Sequence, residues 1–284
     1  MIPGRRTITG AALIGAAAAV GLAVLSAAGA FQAPSGGWPP RRLAAVDGLG
    51  DAEAVAYDPA TDAYFVSDVN GETGVRDDNG AIARIGGDGK LEDRHFIQGG
   101  RKGVTLNAPM GSRVRGDTLW VLDIDALRGF DTRSGKPLAT VDLAPAGALF
   151  LNDFDFAADG SIYASDMRLR RGPNGESAPV GPGRLYHIGT DRRVSVALES
   201  RALVFPDGIG WDTRGRRVII APFQGEAVQA WHPGASQPDS VAGGDGRFDG
   251  VDVGSDGTIL ITSWNDSSLS TLGAAASSAG SGRS

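Results

Sequence analysis

Short apolar runs alternate with turns rich in Gly, Asp and Asn from residue 53 to residue 272. Within these runs, apolar residues either recur at every second position or fill the run, which is typical of half-buried and fully buried β-strands. Turns such as Asp159-Gly160 and Asp256-Gly257 favour hairpins, because Asp and Gly tolerate positive φ angles. Beyond the N-terminal stretch, no segment keeps the period of an amphipathic helix. The pattern predicts an all-β chain built of hairpins.

One sequence motif of strand, turn and strand recurs along the chain, and polar and apolar residues keep the same relative positions in each copy. The copies occupy residues 53–68, 152–166, 207–221 and 249–263, and a weaker copy opens at Met110. A second hairpin follows each copy of the motif, so one repeat unit contains four strands. The spacing of the unit starts fits blades of about 40–50 residues with loop insertions. This predicts a β-propeller of four-stranded blades; a β-sandwich with coincidental hairpins is the alternative, which the constant phase argues against.

The first strand of each propeller blade lines the central channel, so residues at one repeat phase should meet at one mouth of that channel. These residues are Glu53, Met110, Asn152, Asp207 and Asp249. Carboxylates that share a small volume repel one another, and a divalent cation relieves the repulsion. Oxygen ligands favour Ca²⁺ first, with Mg²⁺ or Mn²⁺ as alternatives. The competing interpretation is that Asp-Gly and Asn-Asp at the unit starts only form turns.

A bound divalent ion in this position could polarise a carbonyl and acidify a water molecule. A carboxylate at the edge of the ion could then accept a proton as a general base. Asp207 and Asp249 are the candidates for that role.

Short motifs at the starts of the repeat units are similar, in their order and spacing, to those of the gluconolactonase and regucalcin-like family of six-bladed propellers. The resemblance covers residues 45–270. The motifs are Ala52-Glu53, Leu151-Asn152-Asp153, Phe205-Pro206-Asp207-Gly208 and Phe248-Asp249-Gly250, with Ser263-Trp264-Asn265. The resemblance implies a metal-dependent lactone or ester hydrolase. It implies that Glu53, Asp207 and Asp249 hold the ion. It also places Asn152 at the substrate and makes Asp249 the base.

Three positions depart from the pattern of that family. Asp207 replaces an Asn, Phe150 stands where sugar-lactone hydrolases place an Arg, and Phe154 follows Asn152-Asp153 where a Gly is usual. Phe150 argues against a sugar-acid lactone as substrate. Because similar propellers also bind ligands or proteins without catalysis, a non-catalytic binding protein of the cell envelope is the second hypothesis, and catalysis itself stays open.

The N-terminus has the order of charge, apolar stretch and small residues that is typical of an export signal. Arg5 and Arg6 precede an apolar stretch over residues 8–25, and Ala28-Gly29-Ala30 ends it. We therefore expect a signal peptide over residues 1–30 and a protein exported to the periplasm or the exterior. The arginine pair suggests the twin-arginine route, with general secretion as the alternative. An uncleaved signal would be a membrane anchor.

The remaining chain divides into a linker over residues 31–44, a propeller over residues 45–272 and a flexible tail over residues 273–284. The tail is rich in Gly, Ala and Ser and has no strand pattern. We expect a six-bladed type of propeller whose last blade or blades are incomplete or missing, as in a truncated product. The alternative is a five-bladed closure that uses residues 41–47 as its last strand.

The net charge of −6 argues against a nucleic-acid partner, and the lack of cysteine excludes disulfides and thiolate metal sites. The chain has no nucleophile elbow, zinc-protease motif or phosphate-binding loop. A small-molecule substrate or ligand is therefore the expected partner.

Overall fold

A computed structural model describes residues 44–171, 176–244 and 246–273. These residues form five antiparallel sheets of three or four strands, a separate two-stranded hairpin and one 3₁₀ turn, Ala144–Ala146. The expected signal peptide lies outside the described residues, as do nearly all of the linker and of the tail. No helix in the described part is long and apolar enough to span a membrane. The predicted all-β class is confirmed.

In each of the five sheets, the strands are hydrogen-bonded to one another in the order in which they occur in the chain. We call these sheets blades 1 to 5. Blade 1 contains β1 (Ala52–Asp58), β2 (Ala63–Asp68), β3 (Ala81–Gly86) and β4 (Leu91–Gln98). Blade 2 contains β5 (Pro109–Arg115), β6 (Thr118–Asp123), β7 (Ala126–Asp131) and β8 (Pro137–Asp142). Blade 3 contains β9 (Leu151–Phe156), β10 (Ile162–Asp166), β13 (Gly183–Ile188) and β14 (Val194–Ser200), with the hairpin of β11 (Leu169–Arg171) and β12 (Ser177–Pro179) inserted after β10.

The last two blades follow the same plan. Blade 4 contains β15 (Pro206–Asp212), β16 (Arg217–Pro222), β17 (Ala227–Trp231) and β18 (Asp239–Gly243). Blade 5 contains β19 (Phe248–Val253), β20 (Ile259–Ser263) and β21 (Ser268–Leu272). The first strands contact one another in the order β1, β5, β9, β15 and β19, which is the inner ring of a propeller. Within the described residues there are five blades, of which the last has three strands.

The expected fold is therefore confirmed as a propeller, while the described part shows five blades where a six-bladed type was expected. A three-stranded blade 5 is consistent with the expectation of an incomplete last blade. The proposed closing strand over residues 41–47 is not found in the part that the structure describes. Residues 44–47 form no strand there, and Val46 and Leu49 pack instead against Val66 and Ile85 on a face of blade 1.

Every inner strand has a β-bulge at the same position. In blade 1, Glu53 and Ala54 lie between the paired positions Ala52–Asp68 and Val55–Val66, so two residues oppose one. The same arrangement occurs in the other four blades, at residues 110–111, 152–153, 207–208 and 249–250. A bulge re-aims side chains and bends the strand. The bulges coincide with the repeat phase, which is why one end of the channel receives the polar residues.

In blades 1 to 3, an aspartate at the end of the second strand binds the backbone of the segment that precedes the inner strand. Asp68 accepts hydrogen bonds from the backbone N–H groups of Gly50 and Asp51, at 2.8 and 2.7 Å. Asp123 accepts them from Asn107 and Ala108, at 3.0 and 2.9 Å. Asp166 accepts them from Leu149 and Phe150, at 3.1 and 3.0 Å. These buried carboxylates satisfy amides that belong to no strand.

Apolar clusters fill the four interfaces between successive blades. Phe130, Phe154 and Trp231 are almost fully buried in three of these clusters. Burying a side chain of this size stabilises the fold by about 1.5–3 kcal/mol. The face of blade 1 that points away from blade 2 differs, because Val55 is 61% exposed and Tyr57 is also exposed. Among the residues that the structure describes, the central channel is therefore open on the side between blade 1 and blade 5.

Replacing Asp123 with Ala should destabilise the protein by about 3–5 kcal/mol, because it leaves buried amides and the Arg128 guanidinium without their partner. Urea unfolding followed by circular dichroism would measure the change. Asp117→Ala is the matched control, since that carboxylate is largely exposed and pairs only distantly with Arg133. Its effect should stay within about 0.5 kcal/mol. Equal effects of the two substitutions would contradict the role of Asp123.

Candidate functional site

A cavity of about 610 Å³ occupies the channel, and all five inner strands contribute to its wall. Glu53, Asn152, Asp207 and Asp249 line it together, each from a different blade. The structure therefore brings these four residues to one volume. Asp207 and Asn152 are buried, whereas Glu53 lies at the open side of the cavity and Asp249 is intermediate.

Met110, the fifth member of the predicted ring, does not belong to the cavity. Its side chain is buried in the apolar cluster between blades 2 and 3, and Gly111 lines the channel in its place. A bulge presents two residues, so one can face the channel while the other faces a blade interface. Only Gly fits here, because a Cβ at position 111 would lie 2.3 Å from Oδ1 of Asp153. Repeat phase alone could not tell which of the two residues faces inward.

Burial and nearby acidic groups raise the pKa values of all three carboxylates. Burial and the neighbouring Asp249 raise the pKa of Glu53 to about 7. Burial raises the pKa of Asp207 well above its ordinary value, with further contributions from Asp249 and Glu53. Burial also raises the pKa of Asp249, although a hydrogen bond from the Trp264 indole opposes this. Burial is the largest cause of each shift, and the negative charge of neighbouring carboxylates adds to it.

Two further residues of the cavity were not predicted from the sequence. Asp153 is buried next to Asn152 in the β9 bulge and accepts hydrogen bonds from the Ile209 amide at 3.1 Å and from Arg113 at 3.2 Å. Arg113 lines the cavity from β5. It is the one cation among the residues that line this cavity, and it offsets part of their negative charge. The position of Asp153 inside the repeated motif could have indicated that it lies at the channel, but nothing in the sequence pairs it with Arg113.

Trp264 contributes to the site in a way that was not predicted from the sequence. Trp264 is 64% exposed and its indole N–H donates to Oδ2 of Asp249. Phe223 contacts the indole ring edge-on. The tryptophan therefore holds the Asp249 carboxyl group in one orientation. Its place in Ser263-Trp264-Asn265, directly after β20, brings it above the end of β19.

The donor set fits a hard divalent cation in chemistry and in charge. Most polar side-chain atoms of the lining are oxygens, and Oδ1 of Asp207 is buried without a hydrogen-bond partner, as is Oδ1 of Asp153. A cation would satisfy such atoms and lower the mutual repulsion of the carboxylates. Among the described residues, however, no three His, Asp or Glu side chains are already gathered as a ligand cluster. The histidines do not line the cavity.

Without divalent cations, stability should fall as the pH rises. Glu53 binds a proton more tightly in the folded state, with a pKa of about 7 against 4.5, so its contribution is lost between those values. Asp207 and Asp249 act in the same direction from pH 3.8 upward. We expect the Tm of chelator-treated protein to decrease between pH 5 and pH 8. Differential scanning calorimetry with Glu53→Gln should show a shallower decrease.

Glu226→Gln is the control for this pH dependence, since Glu226 is exposed and outside the cavity. It should leave the slope of Tm against pH as in the unsubstituted protein. A flat Tm in the unsubstituted protein would contradict the electrostatic description of the cavity.

Arg113→Met should destabilise the protein by about 1–3 kcal/mol, because the buried Asp153 carboxyl group then loses its ion-pair and hydrogen-bond partner. In a protein that already has Asp153→Asn, the same substitution should cost less. A double-mutant cycle by urea unfolding measures this coupling. Strict additivity would show that the contact between the two side chains carries no energy.

Comparison with known proteins agrees with the architecture. The family model described as SMP-30/gluconolactonase/LRE-like region matches residues 51–275. Among solved structures, one described as a putative gluconolactonase has a TM-score of 0.57 at 19% identity, covering 81% of this chain and 79% of that chain. A gluconolactonase from Xanthomonas campestris has a TM-score of 0.56 at 19% identity, covering 78% and 75%.

A regucalcin from Agrobacterium tumefaciens, described as a calcium-binding protein, has a TM-score of 0.56 at 14% identity and covers 79% of this chain and 71% of that chain. At such identities the likeness shows a shared fold. No curated protein matches the sequence. Because the family model spans most of the chain, the protein belongs to the SMP-30/gluconolactonase/LRE-like family.

Proposed function

We propose that this protein hydrolyses a lactone or an ester in the central channel, with a divalent cation held by Glu53, Asp207 and Asp249. The observation that carries the proposal is the cavity that these three carboxylates, from three blades, line together, and in which burial and acidic neighbours raise the pKa of each. Such a concentration of perturbed acids in a concave site is typical of a functional centre. The similarity to two proteins described as gluconolactonases supports the reaction class.

Calcium is the first choice for the ion. The ligands offered are carboxylate oxygens and no nitrogen or sulfur, which suits a hard cation. The similarity to a regucalcin described as calcium-binding supports the same choice. When bound, such an ion would supply a Lewis acid for the carbonyl oxygen.

Asp249 would act as the general base. Its pKa is raised toward neutral pH, which makes the carboxylate a stronger base than that of an ordinary aspartate. Trp264 fixes the orientation of the carboxyl group through the indole N–H. Asp249 would take a proton from water as the water oxygen bonds to the carbonyl carbon. The bond from that carbon to the ring or alkoxy oxygen then breaks, and the leaving oxygen receives the proton.

Asn152 would orient the substrate. Its buried amide lines the cavity opposite the carboxylates of blades 4 and 5, and its Nδ2 contacts Sδ of Met167 at 3.3 Å. This contact limits rotation of the side chain, so that the amide is held ready for a ligand. Arg113 lies on the neighbouring inner strand and would hold the Asp153 carboxyl group in place through their ion pair, without itself serving as a ligand of a cation.

Export is a further part of the proposal and has the arginine pair and apolar stretch of residues 1–30 as its support. The second candidate function is ligand or protein binding without catalysis, and Phe150 is the observation that favours it. An aromatic ring at the entrance to β9 offers no charged group for a polyhydroxylated substrate. The two candidates differ in turnover and not in metal binding.

The decisive experiment tests a panel of lactones and esters with purified protein, with and without chelator. Chelation should abolish hydrolysis, and added Ca²⁺ should restore it. Asp249→Asn should reduce kcat/KM by about 10²–10⁴-fold, which is the usual contribution of a general base. Asp239→Asn, on the exposed outer strand β18, should leave activity unchanged.

Hydrolysis that persists after both chelation and Asp249→Asn would overturn the proposed mechanism. Calorimetric titration with Ca²⁺ gives an independent readout. Stoichiometric binding without turnover of any substrate would instead favour the non-catalytic candidate.

A further inference from the structure

A second, smaller cavity of about 180 Å³ lies at the rim of the propeller. It is located between the loop that joins β2 to β3, the segment that enters β9, and the inserted strand β11. Its main lining residues are the apolar Ile124, Leu149, Phe150 and Leu169 and the cations Arg76 and Arg170. The β2–β3 loop follows Asp68, which pairs with Ala52, so this rim is at the same end as Glu53.

The wall of the rim cavity is fixed by the backbone. Phe150 donates its amide N–H to Asp166, and its ring lies so close to Gly74 that a Cβ there would be 3.2 Å from a ring carbon. Gly74 also has a φ of 79°, a conformation that favours glycine. The aromatic ring is therefore held in a closely fitted slot and is not a side chain that can swing freely into solvent.

Ile124 is a second sign that the rim cavity is a built feature. It has a φ of 58°, which is strained for a β-branched residue, and its carbonyl accepts a hydrogen bond from the Leu151 amide. Strain of this kind costs about 1–3 kcal/mol and is concentrated at binding and active sites. Ile124 belongs to the tight turn between β6 and β7 and is buried in the apolar cluster between blades 2 and 3, so the wall that it forms beside the cavity is rigid.

The charge of the rim cavity is positive. Arg76 forms an ion pair with Asp125, so the two charges offset each other. Arg170 is exposed on β11 and adds one further guanidinium. An apolar slot with a guanidinium at its edge matches a ligand that has a hydrocarbon body and one carboxylate, because the planar fork of Arg suits a carboxylate.

We propose that the rim cavity, lined by Phe150, Leu169 and Arg170, binds a small carboxylate with an apolar body. Its volume is below the range of about 300–1,000 Å³ that is usual for drug-sized ligands, so a short-chain acid fits better than a fatty acid. The site is separate from the carboxylates of the channel and does not depend on the hydrolase proposal. Only Leu151 separates Phe150 from Asn152, so the Cα atoms of these two residues are at most about 7 Å apart and a bound acid would lie beside the channel mouth.

Isothermal titration of the full chain with hexanoate, hexanol and acetate tests this site. Hexanoate should bind at least tenfold more tightly than acetate, which lacks the hydrocarbon body, and several-fold more tightly than hexanol, which lacks the charge. Arg170→Gln should weaken hexanoate binding about three- to tenfold and leave hexanol binding unchanged. Leu169→Ser should weaken both.

Arg193→Gln is the matched control, since Arg193 is an exposed arginine in the turn of β13 and β14 at the opposite end of the same blade. It should not change hexanoate binding. Equal affinity for hexanoate and hexanol, or an equal effect of Arg170→Gln and Arg193→Gln, would overturn the proposal. Circular dichroism of each variant verifies that the fold is intact, and lactone hydrolysis is not needed for any of these measurements.

Discussion

The constraint on which the rest of the structure depends is the bulge that interrupts each inner strand at the same position. It sets two residues of one strand against a single residue of the next, so the strand turns and presents a polar side chain at the channel. Three carboxylates and an amide then share one cavity. Their raised pKa values follow from this shared position, because isolated aspartates on ordinary strands would remain hydrated.

The electrostatic cost of this arrangement is offset in several ways. Arg113 supplies a positive charge from blade 2, and the Ile209 amide donates to Asp153. Trp264 stabilises one oxygen of Asp249. The buried Oδ1 of Asp207 still has no partner, and this atom is the strongest structural argument that the cavity accepts a cation. A cavity that is costly to keep without a ligand is a reasonable place for a binding function.

The described part of the propeller is closed on four interfaces and open on the fifth side. Apolar clusters pack each blade against the next from blade 1 to blade 5. The residues that border the gap between blade 5 and blade 1 include the exposed Val55 and Leu269. The channel cavity extends into this gap, since Tyr57 and Leu269 line it together with the carboxylates. In the part of the chain that the structure describes, the candidate site is therefore reached from the side as well as along the channel axis, and this is a property of blade arrangement that no single strand determines.

The sequence by itself determined the strand pattern, the repeat and its phase, because alternation and turn chemistry act over a few residues. It thereby identified Glu53, Asn152, Asp207 and Asp249 as residues of one ring. Only the tertiary structure decided that Gly111 and not Met110 faces the channel, that Arg113 pairs with Asp153 and that Trp264 contacts Asp249. The pair of Arg113 and Asp153 depends on how blades 2 and 3 pack, and the contact of Trp264 with Asp249 depends on the turn geometry inside blade 5. Such distances between side chains are not encoded in the spacing of residues along the chain.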